Sequence, residues 1–160
     1  MRAIPYRFTT SNLTIYLNKG FFMDNNIINT YSSLSLAFLG DAVFSLMVRE
    51  YVLSNTEMHT SKLHKLSAEA VNAGAQSRAI KKILPLLSNG ELEVFKRGRN
   101  AHPKHIPKNQ SEADYHYATG LEALFGYLYL EKNEARLREL FNLIIEDSEV
   151  LCFEADKKQN

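Results

Sequence analysis

Cysteine is almost missing from this chain of 160 residues, with Cys152 the single example. That excludes a disulfide framework and a thiolate-held metal cluster, and it fits a reducing, cytoplasmic setting. No apolar run reaches the length that crosses a bilayer, and Asp41 divides the longest candidate, so no membrane partner is expected. The first residues carry Arg2 and Arg7 without a continuous apolar segment behind them, which argues against a secretory signal. Period-two alternation is absent, and so is any internal repeat. His59, His64, His102 and His105 form no i,i+4 pair, and Pro103 separates the last two, so no histidine zinc site is expected.

What is present is ordinary globular material for one domain, 45% hydrophobic and 23% charged. The net charge of +1 hides an asymmetry. Residues 1–58 are balanced, residues 59–110 carry a net +7, and residues 111–160 a net −6. A basic middle third is the electrostatic footprint of a polyanion partner, although a solvated charged surface gives the same composition.

The stretch 34–53, LSLAFLGDAVFSLMVREYVL, reads as a long buried core helix packed on more than one side, capped by Ser32 or Ser33. Gly40 weakens its interior, and a close approach of backbone, ligand or partner beside Asp41 would explain it. A loop at 54–60 and a cap at Thr60 or Ser61 lead into one helix over 62–84, ended by Pro85. Its buried stripe is Leu63, Leu66, Ala70, Ala73 and Ile80, with Lys62, Lys65, Arg78, Lys81 and Lys82 on the basic side. Residues 88–90 form a turn and 91–97 a short helix. The segment 96–109, KRGRNAHPKHIPKN, is dense in Lys and Arg and nearly free of large apolar residues, so it is expected as an exposed loop. Helices at 112–130 and 133–153 close the chain. Leu137, Leu140, Phe141, Ile144 and Ile145 face inward on the last one. Residues 1–23 are expected as an N-terminal extension, or as the product of an upstream start the cell does not use. Residues 24–153 form the domain and 154–160 a tail. The fold class is all-α.

Asp41 and Glu122 each interrupt an apolar helix. Taken alone, either is most simply a structural acid paired with an arginine or capping a neighbour. Two acids brought together from two helices cannot both ionise without a cation, and an oxygen-rich pair suits Mg²⁺. Tyr115, Thr119 and Glu122 fall at i, i+4 and i+7 and share a helical face. Lys and Arg of the basic segment are suited to phosphates.

FLGDAV at 38–43 resembles the core of the ribonuclease III signature, and LEALFGYLYL at 121–130 resembles its second acidic motif. RGRN at 97–100, PKN at 107–109 and YATGLEALFGYLYL are most similar to Mini-ribonuclease III, the compact bacterial branch with the catalytic domain and no double-stranded-RNA-binding domain. The resemblance implies a ribonuclease III-like helical bundle forming a homodimer, with Phe38 entering the partner. It implies Asp41 and Glu122 as catalytic and metal-binding acids, and Mg²⁺ as the cofactor. Thr119 is a candidate for holding metal water, and Asp114 a weaker one. Arg97, Arg99, Asn100, Lys104, Lys108 and Asn109 are the implied RNA contacts. The implied substrate is double-stranded RNA, the stem of a 23S ribosomal RNA precursor, with a large-subunit ribosomal protein as a further partner. Leu34, Ala37 and Thr119 stand where the larger enzymes have acids, which implies a reduced site. The alternative is a non-catalytic RNA-binding helical dimer acting in ribosome assembly. A plain helical interaction domain would leave the basic segment without a ligand.

Overall fold

A computed structural model describes residues 28–101, 111–146, 148, 150 and 151. Among these residues there are six α-helices and no strand: α1 Ser33–Asn55, α2 Thr60–Ala70, α3 Ala73–Ile83, α4 Asn89–Arg99, α5 Glu112–Leu130 and α6 Glu134–Ile145. A short 3₁₀ turn, Leu84–Leu86, contains Pro85 and joins α3 to α4. The all-α expectation holds. The expected extension at 1–23, the tail at 154–160, Cys152, and Lys104, Lys108 and Asn109 lie outside the described residues.

Helix α1, expected to pack on more than one side, meets α2, α4 and α5, but it is not the centre of the bundle. That position belongs to α5, which packs on α1, α3, α4 and α6. Leu121, Leu124, Phe125 and Leu128 of α5 meet Val43, Phe44, Val48 and Val52 of α1 in the main core. Ile80 and Ile83 of α3, Phe95 of α4 and the five inward residues of α6 complete it, the last as expected. Phe44 stands edge-on to Phe125, with ring centres 5.3 Å apart, and edge-on to Phe141 at 6.0 Å. Each fully buried side chain of this size contributes about 1.5–3 kcal/mol.

Helix α1 is buried on one side only. Leu34, Phe38, Asp41, Ala42, Leu46 and Leu53 are exposed along the other. Ser32, not Ser33, caps it by accepting from the Ser35 N–H at 3.0 Å. The single helix expected over 62–84 is two. Asn72 breaks it, because its amide serves both ends. Its Oδ1 accepts from the Ala75 N–H at 2.9 Å, capping α3, and its Nδ2 donates to the Glu69 carbonyl at 2.7 Å, closing α2. Neither Thr60 nor Ser61 caps α2; His59 holds that place without a side-chain bond. The turn expected at 88–90 is the start of α4. Ser88 and Glu91 form a reciprocal capping box there. Helix α6 ends at Ile145, short of the expected 153.

Candidate functional site

Helices α1 and α5 cross with almost no space between their backbones. A Cβ on Gly40 would lie 1.7 Å from the Glu122 carbonyl oxygen, and one on Gly126 would lie 2.1 Å from the Leu36 carbonyl oxygen. Only glycine permits that approach, so the expectation of a close contact beside Asp41 is met, and the contact is the Glu122 turn of α5. The crossing sets Asp41 and Glu122 on the same groove, an open cleft of about 430 Å³.

Three elements line this groove. Helix α1 gives Leu34, Ala37, Phe38 and Asp41. The α2–α3 junction gives Val71, Asn72 and Ala73, so the positive end of α3 opens on it. Helix α5 gives Tyr115, Ala118, Thr119 and Glu122, which places the expected i, i+4, i+7 set on one face. Asp41 is exposed, not buried as its apolar neighbours in sequence suggest. Its helix presents it on the side turned away from the core. Glu122 is half-buried. Its carboxyl is pushed up to about 7, first by burial and then by the negative charge of Asp41, with the nearby Gln76 side chain acting the other way.

Thr119 is buried, and its hydroxyl donates to the Tyr115 carbonyl at 3.0 Å, so only its lone pairs remain to accept a hydrogen bond. Asp114 does not line the groove. It pairs with Lys81 at 3.8 Å on the first turn of α5. Leu34, Ala37 and Thr119, the slots that hold acids in the larger enzymes, all line the groove beside Asp41 and Glu122. Among the described residues no group of three or more His, Cys, Asp or Glu is gathered as a metal site. The donor set is therefore two carboxylates with neutral neighbours.

Arg97 and Arg99 stand on the last turn of α4, which runs two residues past the expected end at 97 into the segment expected as loop, and Asn100 is its C-terminal cap. The helix continues because Gly98 fits against α5, where a Cβ would lie 2.6 Å from that of Ala123. Arg97 is exposed. Arg99 lies over the Phe95 and Tyr117 rings at 5.9 and 5.7 Å. A second open groove, about 610 Å³, is lined by Lys96, Arg97 and Asn100 and shares Leu34 with the acidic one. Glu93 also lines this second groove and pairs with Lys96 at 3.0 Å, so Arg97 is the cation there that no carboxylate of the groove neutralises, and the two grooves meet at Leu34.

Sequence reading missed Asn72 and Gln76. Gln76 is 1% exposed and interrupts the apolar stripe of α3. A polar residue on a buried stripe was the available signal.

A family model of the Ribonuclease III domain matches residues 34–133. The chain is 44% identical over 113 residues to a Mini-ribonuclease 3 of Clostridium tetani, covering 70% of this chain and 75% of that protein. It is 37% identical over 128 residues to a Mini-ribonuclease 3 of Staphylococcus aureus, covering 77% and 96%. A crystal structure of a Fusobacterium nucleatum protein aligns with a TM-score of 0.69 at 37% identity, covering 74% of this chain and 95% of that one.

Proposed function

The chain belongs to the ribonuclease III family, on its Mini-ribonuclease branch, and from that premise we propose that it is an endoribonuclease cutting double-stranded RNA with Asp41 and Glu122 as its catalytic carboxylates. One observation carries this assignment. Two acids from different helices share one groove, close enough for Asp41 to raise the proton affinity of Glu122.

A half-buried carboxyl that resists ionisation beside a second acid is a donor set in need of a cation, and all-oxygen donors suit Mg²⁺. Asp41 and Glu122 would hold it, and the ion when bound supplies an activated water and neutralises charge developing on the phosphate. Water attacks the phosphorus, the bond to the 3′-oxygen breaks, and the products carry 5′-phosphate and 3′-hydroxyl. The lone pairs of Thr119 accept from water at the groove wall. Arg97 and Asn100 hold the phosphate backbone in the adjoining channel, with Lys96 beside them. Arg99, and outside the described residues Lys104, Lys108 and Asn109, are the further RNA contacts of this reading. A-form RNA is met through shape, phosphate and 2′-hydroxyl, so sequence preference is modest and salt dependence steep.

The active form is a homodimer. Phe38 is 85% exposed, on the same face of α1 as exposed Leu34, Leu46 and Leu53. Beside them lies an apolar groove of about 350 Å³, lined by Leu39, Leu46, Met47 and Tyr129, which gives an aromatic from a second copy a place to enter. The biological substrate is the stem of the 23S ribosomal RNA precursor, met in the cytoplasm with a large-subunit ribosomal protein bound. Among the described residues no helix is long and apolar enough to cross a membrane.

The test is cleavage of a long double-stranded RNA in Mg²⁺ and in EDTA, with end analysis of the products. Metal-dependent cutting to 5′-phosphate ends is expected. Cutting in EDTA, or 2′,3′-cyclic phosphate ends, would overturn the mechanism. A second reading, a non-catalytic RNA-binding dimer in ribosome assembly, is favoured by Leu34, Ala37 and Thr119 in the groove. It requires RNA binding with no cleavage in any divalent metal.

A further inference from the structure

We propose that the Tyr115 hydroxyl is a substrate contact of this groove, the uncharged donor that seats an RNA phosphate next to the one being cut. The proposal rests on the assignment of Asp41 and Glu122 above.

A phosphate backbone laid in the acidic groove meets few hydrogen-bond donors. Among the described residues no Lys or Arg lines it, and its two ionised carboxylates can only accept. Thr119 has spent its hydrogen on the Tyr115 carbonyl. Asn72 has committed its oxygen to the Ala75 N–H and one amide hydrogen to the Glu69 carbonyl, which leaves it one hydrogen. The N–H groups at the start of α3 are the backbone donors of this wall. The other side-chain donor is the Tyr115 hydroxyl. Tyr115 lines the groove and is half-buried, and among the described residues its hydroxyl bonds to nothing in the protein. The residue is held from behind, because its carbonyl takes the Thr119 hydrogen at 3.0 Å. The chemistry of the side chain suits the place. A Lys or Arg there would pair with Asp41 or Glu122 and compete with a divalent cation, whereas a phenol brings a hydrogen without a charge. Tyr115 and Glu122 are seven residues apart on α5, about 10 Å along the helix axis. The hydroxyl therefore serves a phosphate beside the one held at the carboxylates, not that one.

The test is single-turnover cleavage of a short RNA duplex in Mg²⁺ by wild type and by Tyr115→Phe, which keeps the ring and removes the hydroxyl. The duplex carries one methylphosphonate at a time at the phosphates flanking the cut, or one 2′-deoxy sugar at the same nucleotides. For Tyr115→Phe the half-saturating concentration should rise about 10-fold, as for a lost bond to a charged group, with the saturating rate within about threefold of wild type. One methylphosphonate should cost wild type a similar factor and cost the variant nothing further, while the 2′-deoxy sugars affect both proteins alike. A folded variant within about twofold of wild type in both parameters, or a loss confined to the saturating rate, overturns the proposal. So does a loss that couples to a 2′-deoxy sugar. If Asp41→Asn is inactive in the same assay, the nuclease assignment stands through any of these; a wild type that does not cut overturns both. If Tyr115→Phe does not fold, the Tyr115 ring carbon bearing the hydroxyl, labelled with ¹³C in wild type, decides. Its resonance must shift when the duplex binds in Ca²⁺, and shift less with the flanking methylphosphonate; an unmoved resonance overturns the proposal.

Discussion

Gly40 and Glu122 touch backbone to backbone, and a Cβ on Gly40 would lie 1.7 Å from the Glu122 carbonyl oxygen. The residue before one acid is thus packed on the residue that carries the other. Gly40→Ala should push α1 and α5 apart and misplace both carboxylates. Overpacking of this kind costs about 1–3 kcal/mol, and more where the obstacle is backbone. A lowered urea midpoint at unchanged slope, with cleavage reduced more than RNA binding, is expected.

Glu122 makes the metal-free protein sensitive to pH. Its carboxyl is pushed up to about 7 from an ordinary value of 4.5. Between those values the native state holds more protons than the unfolded chain, so stability falls as pH rises through the window. Glu122→Gln should therefore stabilise the metal-free protein above pH 7, on the order of 2 kcal/mol after solvent screening, with little difference near pH 4. Denaturant unfolding in EDTA at both pH values measures this.

Glu91 and Arg136 hold the far end of α4 and have no part in the groove. Arg136 Nε donates to Glu91 Oε1 at 2.9 Å, and its Nη2 to Glu91 Oε2 at 3.0 Å and to the Leu86 carbonyl at 2.7 Å. Arg136→Met would strand a buried carboxylate and cost about 3 kcal/mol. The Arg136 bond holds the Glu91 carboxyl below its ordinary value of 4.5 against the effect of burial. Its stabilisation is present above that pH and lost as pH falls below it. Unfolding midpoints of both proteins at pH 7 and pH 3 should converge at the lower pH.

Arg97 is exposed in the basic channel, so Arg97→Ala should leave the fold intact and weaken RNA binding in all sequences alike. The slope of log affinity against log salt should fall by about 1 for the lost phosphate contact. A filter-binding salt series reads both.

The fold class and both acids were legible in the sequence because apolar helical runs carry strong signals and an acid inside one stands out. The side of α1 on which Asp41 lies was not legible. That helix is apolar all round, and its unpartnered face, with Phe38 and Leu46, reads like core. The break at Asn72 was hidden because one amide replaces the bonds of two helix ends, no Pro marks the site, and Gly74 lies inside the first turn of α3 and not in the break. Charge density makes 96–109 read as loop, so the helix is expected to end at 97 and Arg99 to lie beyond it. What keeps Arg99 helical is Gly98 against α5, a contact distant in sequence. Gln76 went unread because polarity on a buried stripe has meaning only once its neighbour Glu122 is known.

The most direct measurement is single-turnover cleavage of a long double-stranded RNA in Mg²⁺ by wild type and Asp41→Asn, with RNA binding and unfolding followed on the same samples. A folded variant that binds RNA as wild type does and does not cut it is the expected result. A folded Asp41→Asn that cuts at a rate near wild type would contradict it.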